Sequence, residues 1–212
     1  MSRVRLGNPM RRAVMGEFLG TALMVGVGCG SVALGAGHLL VSLTFGAVVT
    51  VAILLFGPWS GAHINPAVSL AFWRSGHLES ARLLPYWLAQ CSGALLAAWT
   101  VGAAAPTTVA PSLSLVEAFL VEVGITAALM LSIFIVVRRT QRRIIIAAWV
   151  GGTVAVLALI AGPLTGASMN PARTFGPNLL SGLWGMLPFY FISTALGAWF
   201  AVDLDRRLHR SP

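Results

Sequence analysis

Two stretches of the sequence are nearly identical: GPWSGAHINPA, from Gly57 to Ala67, and GPLTGASMNPA, from Gly162 to Ala172. Their asparagines, Asn65 and Asn170, lie 105 residues apart. A long motif that recurs at a fixed offset indicates an internal duplication. We therefore expect two copies of one structural unit, each with one Asn-Pro-Ala (NPA) segment.

The same offset relates a second pair of positions. Glu17 and Thr21 in one apolar run correspond to Glu122 and Thr126 in another. Both pairs begin an E-x-x-x-T pattern, so the duplication reaches well beyond the NPA segments.

The composition is that of a protein that crosses a membrane several times. Of its 212 residues, 57% are hydrophobic and 9% are charged, whereas soluble domains carry about 25% charged residues. Crossing a bilayer takes about 20 apolar residues. Six runs are long enough, or nearly so: Ala13–Leu34, Val41–Phe56, Leu83–Ala104, Val116–Val137, Ile144–Ala161 and Trp184–Val202.

Each half of the duplication, at about residues 13–104 and 116–202, holds three of these spans and one NPA segment. Because three is odd, the second half enters the membrane in the opposite orientation. Inverted repeats of this kind place a pathway at the repeat interface near the bilayer midplane. We predict an all-α membrane protein with six transmembrane helices and two half-helices, forming a single domain over residues 1–212.

The NPA segments have the chemistry of helix starts. Asparagine is a strong N-cap, proline suits the first helical position, and small alanine lets two such ends approach. The runs that follow, Pro66–Ser75 and Pro171–Ser181, are too short to cross, because ten residues reach only about 15 Å. Two half-helices meeting at their tips would complete one further span, with these residues at the constriction: Asn65, Pro66, Ala67, Asn170, Pro171 and Ala172.

The arginines indicate the orientation of the chain. All 14 basic residues are arginines, and they cluster at 3–12, 74–82, 138–143 and 206–210, with Arg173 alone elsewhere. The clustered arginines lie on one side of the predicted membrane. The positive-inside rule makes that side cytoplasmic, with both termini inside the cell, and Arg173 is the exception.

The sequence resembles the aquaporin family of major intrinsic proteins over about Ala13 to Val202. The resemblance rests on the two NPA segments, GEFLGTALM in the first span, YWLAQCSGALLAA in the third, and NPAR at the second NPA. It implies a single aquaporin-like channel domain in the plasma membrane, a homotetramer with a pore through each protomer, and Asn65 and Asn170 with amide N–H groups directed into the pore.

In this family four side chains form the narrowest ring, and the matching positions here are Phe45, Ala158, Ala167 and Arg173. A guanidinium at that ring supplies donors to a solute and opposes cations. Arg173 matches Val68 of the first repeat, but only the second position faces the ring on the extracellular side.

The resemblance leaves the solute open. Water-selective members usually carry histidine where this chain has Ala158, which favours a wider and less polar ring. Glycerol channels usually carry aspartate where this chain has Thr174, and FYF at Phe189–Phe191 is more typical of water channels. We expect a passive channel for water and small neutral solutes such as glycerol, urea or undissociated metalloid acids. The alternatives are a water-selective channel, or a secondary transporter with inverted repeats.

The remaining polar residues are assigned supporting roles. The resemblance implies that Glu17 and Glu122 brace the inserted loops by accepting backbone N–H bonds. His63 lines the cytoplasmic vestibule or packs in the loop. No nucleophile–base set and no metal cluster is apparent in the sequence. We therefore expect no enzymatic activity and no cofactor, metal or nucleic-acid partner. The expected partners are the lipid bilayer, the solutes and the other protomers of the tetramer.

Cysteine labelling in intact cells tests the orientation. In a variant with Cys29 and Cys91 replaced by alanine, we expect Thr140→Cys to be shielded from an impermeant maleimide and Leu164→Cys to react. The physical reason is the arginine bias around position 140. Labelling of position 140 from outside would refute the orientation.

Overall fold

The computed structural model describes residues 9–103 and 105–209, so Ala104, Arg3, Arg5 and Arg210 of the patterns above lie outside the described residues. Within these ranges the chain is helical and contains no β-strand. The described helices are α1 (Pro9–Ala33), α2 (His38–Ser60), α3 (Pro66–Arg74), α4 (Ser80–Thr100), α5 (Leu115–Arg139), α6 (Arg143–Thr165), α7 (Pro171–Leu180) and α8 (Leu187–Leu208), with a 3₁₀ turn at Trp184–Met186.

Both halves of the described chain have the order of helices that the duplication predicts, which is two long helices, one short helix and one long helix. Helices α1, α2, α5, α6 and α8 are long and apolar enough to cross a membrane. Helix α4 has 21 residues, which reach about 31 Å, and it packs along α1 as α8 packs along α5. Helix α4 carries Arg82 and Gln90 and is not among those five apolar helices. The predicted fold class, six spans with two half-helices, is confirmed.

Several helices run further than their apolar runs predicted, and two of them, α2 and α6, do so past a proline. Helix α2 continues past Phe56 through Pro58, and α6 continues past Ala161 through Pro163. Proline is tolerated in membrane helices where neighbouring groups satisfy the freed backbone. Both helices end at a glycine of positive φ, Gly61 at 90° and Gly166 at 74°, which is a common way for a helix to stop.

Glycines set the close helix crossings. Gly46 of α2 faces Gly151 of α6, and a Cβ on Gly46 would lie 2.5 Å from the Gly151 carbonyl oxygen. Gly93 of α4 lies against the Phe18 carbonyl of α1 in the same way. Small residues let membrane helices approach backbone to backbone. The crossing of α2 and α6 joins matched positions of the two repeats.

Charged pairs tie three helices together on the arginine-rich side. Arg74, at the end of α3, lies 2.5 Å from Asp203 of α8, and its guanidinium lies 3.9 Å from the Trp199 ring centroid. Arg138 of α5 pairs with Asp205 of α8. The outer end of the first half-helix is thus anchored to α8.

The glycine crossings give a test of packing. A Cβ on Gly197 of α8 would lie 2.5 Å from the Val123 carbonyl oxygen, whereas one on Gly124 would meet no atom within 4 Å. We expect Gly197→Ala to lower the free energy of unfolding by about 1–3 kcal/mol through overpacking. Gly124→Ala, the control, should be neutral or slightly stabilising because alanine is the better helix former. Denaturant unfolding in micelles measures both, and equal effects would contradict the crossing.

A candidate pore between two half-helices

Each half-helix begins at its asparagine. Asn65 Oδ1 accepts the Ala67 N–H at 2.8 Å, and Asn170 Oδ1 accepts the Ala172 N–H at 2.9 Å and the Arg173 N–H at 3.3 Å. A proline occupies the first helical position in both cases. These are N-caps of the standard kind, and they direct both helix N-termini toward the middle of the protein.

The two caps also bind each other's loops. Asn65 Nδ2 donates to the Met169 carbonyl at 2.8 Å, and Asn170 Nδ2 donates to the Ile64 carbonyl at 2.8 Å. An amide nitrogen carries two hydrogens, so each asparagine has a second N–H beyond this reciprocal bond. That of Asn170 faces the Met24 sulfur, a weak acceptor, with Nδ2 and Sδ 3.8 Å apart. The exchange fixes the two half-helix tips against one another.

The loops before the caps adopt an unusual backbone. Ala62 and Ile64 have φ of 50° and 44°, and the matched Ala167 and Met169 have φ of 43° and 49°. Left-handed residues other than glycine are uncommon, and a β-branched one such as isoleucine is a genuine outlier. Such strain persists only where surrounding contacts impose it.

Glu122 supplies part of that support in the second repeat. This buried carboxylate accepts the Ser168 N–H at 2.9 Å, the Met169 N–H at 3.0 Å and the Thr165 hydroxyl at 2.6 Å. Its oxygens therefore satisfy two loop N–H groups that have no helix partner.

Glu17 makes the matching bonds in the first repeat. Its carboxylate accepts the His63 N–H at 2.9 Å and the Ile64 N–H at 2.6 Å. The third donor differs, because Gln90 Nε2 of α4 donates to Glu17 at 2.7 Å and to Ser69 Oγ at 2.9 Å. Gln90 was not singled out in the sequence, since its repeat partner is not a glutamine.

A cavity of about 740 Å³ runs past both caps. Gln141 and Arg143 line one end and Ala110 and Pro111 line the other, and the wall between them includes the loop residues 61–65 and 166–170. Phe45, Ala158, Ala167, Arg173, His63, Asn65 and Asn170 all line this one cavity. Four residues predicted at the constriction do not line the cavity in the described part of the chain: Pro66, Ala67, Pro171 and Ala172. They form the first turns of α3 and α7, behind the cavity wall.

Arg173 is held in place on the cavity wall. Its Nη1 donates to the Ala105 carbonyl at 2.7 Å, and its Cζ lies 5.2 Å from the Phe45 ring centroid. Arg173 and Phe45 are each 8% exposed, and the Phe45 ring fills the space that the missing side chain of Gly28 leaves. The Phe45 ring and the Arg173 guanidinium thus lie side by side on the cavity wall, each held by its neighbours.

Two small residues contribute the remaining predicted positions. Ala158 is a half-buried residue of α6, and Ala167 lies in the strained loop with its N–H 3.3 Å from Thr165 Oγ1. Neither side chain extends beyond one methyl group. The parts of the cavity wall that these two side chains form are therefore apolar, and they take up little of the cavity.

His63 is packed as well as pore-lining. Its ring stacks on Phe72 with centroids 4.8 Å apart, and its Nδ1 lies 3.1 Å from Ser69 Oγ. The stack and the hydrogen bond hold the imidazole on the side of the caps where α3 lies.

A buried polar network behind Arg173 is not evident from the motifs. Asn178 of α7 accepts the Thr107 N–H at 2.8 Å and donates to its carbonyl at 2.9 Å. Thr174 Oγ1 lies 2.9 Å from Thr107 Oγ1 and 2.6 Å from Ser168 Oγ. These bonds pin the loop between α4 and α5, which carries the Ala105 carbonyl. The sequence offered one indication of this network, because Ser69 and Thr174 carry hydroxyl groups at matched positions of the two repeats.

The described residues contain no group of three or more His, Cys, Asp or Glu side chains that could hold a metal ion. The polar groups along the cavity are instead amides, hydroxyls, backbone groups, the imidazoles of His38 and His63, and the guanidinium groups of Arg143 and Arg173. They can exchange hydrogen bonds with a passing solute.

The fold and the cavity define a multi-pass membrane protein built as an inverted repeat. The family described as Major intrinsic protein matches residues 7–203, and the chain belongs to that family.

Three named relatives match this chain over nearly its whole length. Aquaporin-4 of Mus musculus is 36% identical, over 93% of this chain and 70% of its own length. Aquaporin NIP1-1 of Zea mays is 37% identical, over 90% and 72%. The glycerol uptake facilitator protein of Pseudomonas aeruginosa is 37% identical, over 90% and 81%.

A solved structure confirms the architecture. The aquaglyceroporin from Plasmodium falciparum superposes with a TM-score of 0.84 at 27% identity, over 92% of this chain and 95% of that one. The relatives carry the names of channels and a facilitator, not of enzymes.

The glutamate contacts give a test of loop support. Glu122→Gln turns one acceptor oxygen into a donor facing a loop N–H, and we expect it to lower the free energy of unfolding by about 1–3 kcal/mol. Glu79→Gln is the matched control, because the Glu79 side chain is 74% exposed and its ion-pair partner among residues 9–103 and 105–209 is Arg82 at the surface. Such pairs contribute about 0–1 kcal/mol. Unfolding in micelles compares them, and a Glu122 variant as stable as the control would refute the role.

Proposed function

We propose that this protein is a passive channel that conducts water and small neutral solutes such as glycerol, and excludes ions and protons. The carrying observation is the meeting of two capped half-helix N-termini in one cavity, beside an immobilised guanidinium. Family membership and the named relatives support the same conclusion.

The caps provide selectivity against cations. A helix N-terminus carries roughly half a positive charge, and two of them converge beside Asn65 and Asn170. The second N–H of each amide donates to a passing hydroxyl or water. Converging helix dipoles are a recognised barrier to protons and cations in aquaporins, so a neutral solute passes where an ion is repelled.

The outer constriction sets the size and polarity of the solute. Arg173 donates hydrogen bonds on one side, and Phe45, Ala158 and Ala167 form an apolar remainder. Two methyl-sized walls leave room for a molecule larger than water, which favours a glycerol-sized solute over a strictly water-selective pore. Urea and undissociated metalloid acids share the same size and neutrality.

The membrane setting follows from the surface. Large apolar side chains on the outside of the helices, such as Leu88, Leu120 and Ile160, are more than half exposed and suit lipid or neighbouring protomers. We infer a homotetramer in the cell membrane, with both termini cytoplasmic and the whole chain forming one channel domain.

Stopped-flow light scattering of proteoliposomes tests the function. We expect the protein to pass water and at least one larger neutral solute among glycerol, urea and boric acid, with flux that follows the solute gradient and needs no ion gradient. Dependence on an ion gradient would favour a secondary transporter.

Ala158→His tests the width of the constriction. The added ring should block glycerol-sized solutes while water, which is smaller and gains a hydrogen-bond partner, keeps most of its flux. Oligomer yield and water flux control for misfolding by overpacking. A parent protein that passes water alone would leave the water-selective alternative, and a variant that keeps solute flux would remove Ala158 from the constriction.

A further inference from the structure

One backbone carbonyl near the outer constriction has lost its helical partner. Pro163 lies inside α6, and proline has no N–H to donate to the carbonyl four residues earlier. That carbonyl belongs to Leu159, the residue next to Ala158. An unpaired carbonyl here would loosen the turn of α6 that faces Phe45 and Arg173.

The first residue of α2 supplies the missing donor. His38 Nε2 lies 2.9 Å from the Leu159 carbonyl oxygen. Because a carbonyl only accepts, the imidazole nitrogen carries the hydrogen. This bond joins residues 121 positions apart, so it is a tertiary replacement for a local helix bond.

The neighbouring glycine makes room for that contact. A Cβ on Gly162 would lie 2.5 Å from the His38 Cε1 atom, so the imidazole rests against α6 where only glycine leaves space. His38, Gly162, Pro163 and Ala158 all line the cavity. The bond therefore acts on the wall of the pore.

The inner mouth shows that the bond is not a general result of the duplication. Pro58 of α2 matches Pro163, and Arg143 matches His38 and lies over Gly57, with its Cδ 3.5 Å from a Cβ built there. Among the hydrogen bonds of the described residues, none joins Arg143 to Leu54, the carbonyl that Pro58 leaves free. The donor is specific to the mouth of the cavity at which the proposed constriction lies.

We propose that His38 is a positioning residue of the outer constriction. Its Nε2–H replaces the donor that Pro163 removes, and so holds the α6 turn bearing Ala158 at a set distance from Phe45 and Arg173. This inference rests on the proposed function for its effect on solutes, but the hydrogen bond itself does not.

The test compares the loss of His38 in two backgrounds. In the parent protein, His38→Leu removes the bond because leucine has no donor. His38→Asn removes it because the asparagine side chain is too short to reach the Leu159 carbonyl. We expect the ratio of glycerol to water permeability to fall about threefold, as for the loss of one hydrogen bond. His38→Gln, whose amide reaches the Nε2 position, should keep the ratio. Leu39→Ala, an exposed neighbour on α2, is the matched control and should leave it unchanged.

The second background separates positioning from pore lining. Pro163→Ala restores an N–H to the helix, so Leu159 no longer needs His38. Adding His38→Leu to Pro163→Ala should then leave the ratio of that background unchanged. An equal fall in both backgrounds would show that His38 acts on solutes directly. In a parent protein that passes glycerol, no fall in either background would refute the effect of His38 on solutes.

Hydrogen exchange gives a readout that does not depend on transport. We expect amides of residues 157–166 to exchange faster in His38→Leu and His38→Asn than in the parent protein, with no such increase when His38→Leu is added to Pro163→Ala. If exchange behaves so and the protein passes water alone, the proposed solute range fails while the positioning role stands. Unchanged exchange in both single variants overturns the positioning role, whatever the solute range.

Discussion

A backbone that leaves a helix inside a membrane has no water with which to bond, and the rest of this structure depends on how that need is met. The loops before the caps are non-helical and lie deep in the protein. Their N–H groups are bound by Glu17 and Glu122, and their carbonyls at Ile64 and Met169 by the opposite asparagine. Irregular backbone is tolerated at this depth only under such conditions.

The same bonds explain why strain can persist beside the pore. A positive φ at a residue such as Ile64 costs of order 1–3 kcal/mol. A loop that was free to relax would therefore leave this conformation. Two carboxylate bonds and one amide bond act on each short loop, so the strained conformation is held from several sides. Those bonds therefore fix the part of the cavity wall that the two loops form.

The two repeats share a scaffold and differ where their environments differ. The glutamates, the caps and the glycine crossings are matched. Val68 and Arg173 are not, and neither are His63 and Ser168. Arg173 lies on the side where Ala105 offers it a carbonyl. The duplication thus provides the architecture, and differences such as Arg173 against the matched Val68 give the two ends of the cavity different chemistry.

The sequence by itself determined the number of spans, their inverted arrangement and the capped half-helices, because apolar length, odd span count and N-cap chemistry are local properties. Through the repeat and the family resemblance it also named several residues that line the cavity: Phe45, His63, Asn65, Ala158, Ala167, Asn170 and Arg173. Four others that it named, Pro66, Ala67, Pro171 and Ala172, lie behind the wall. Only the tertiary structure decided the reciprocal bonds between the two caps, the Gln90 contact and the Thr107 network behind Arg173. It also decided the hydrogen bond between His38 and the Leu159 carbonyl. Those contacts join residues far apart in the chain, and no pattern of hydropathy or spacing specifies which donor meets which acceptor when helices pack.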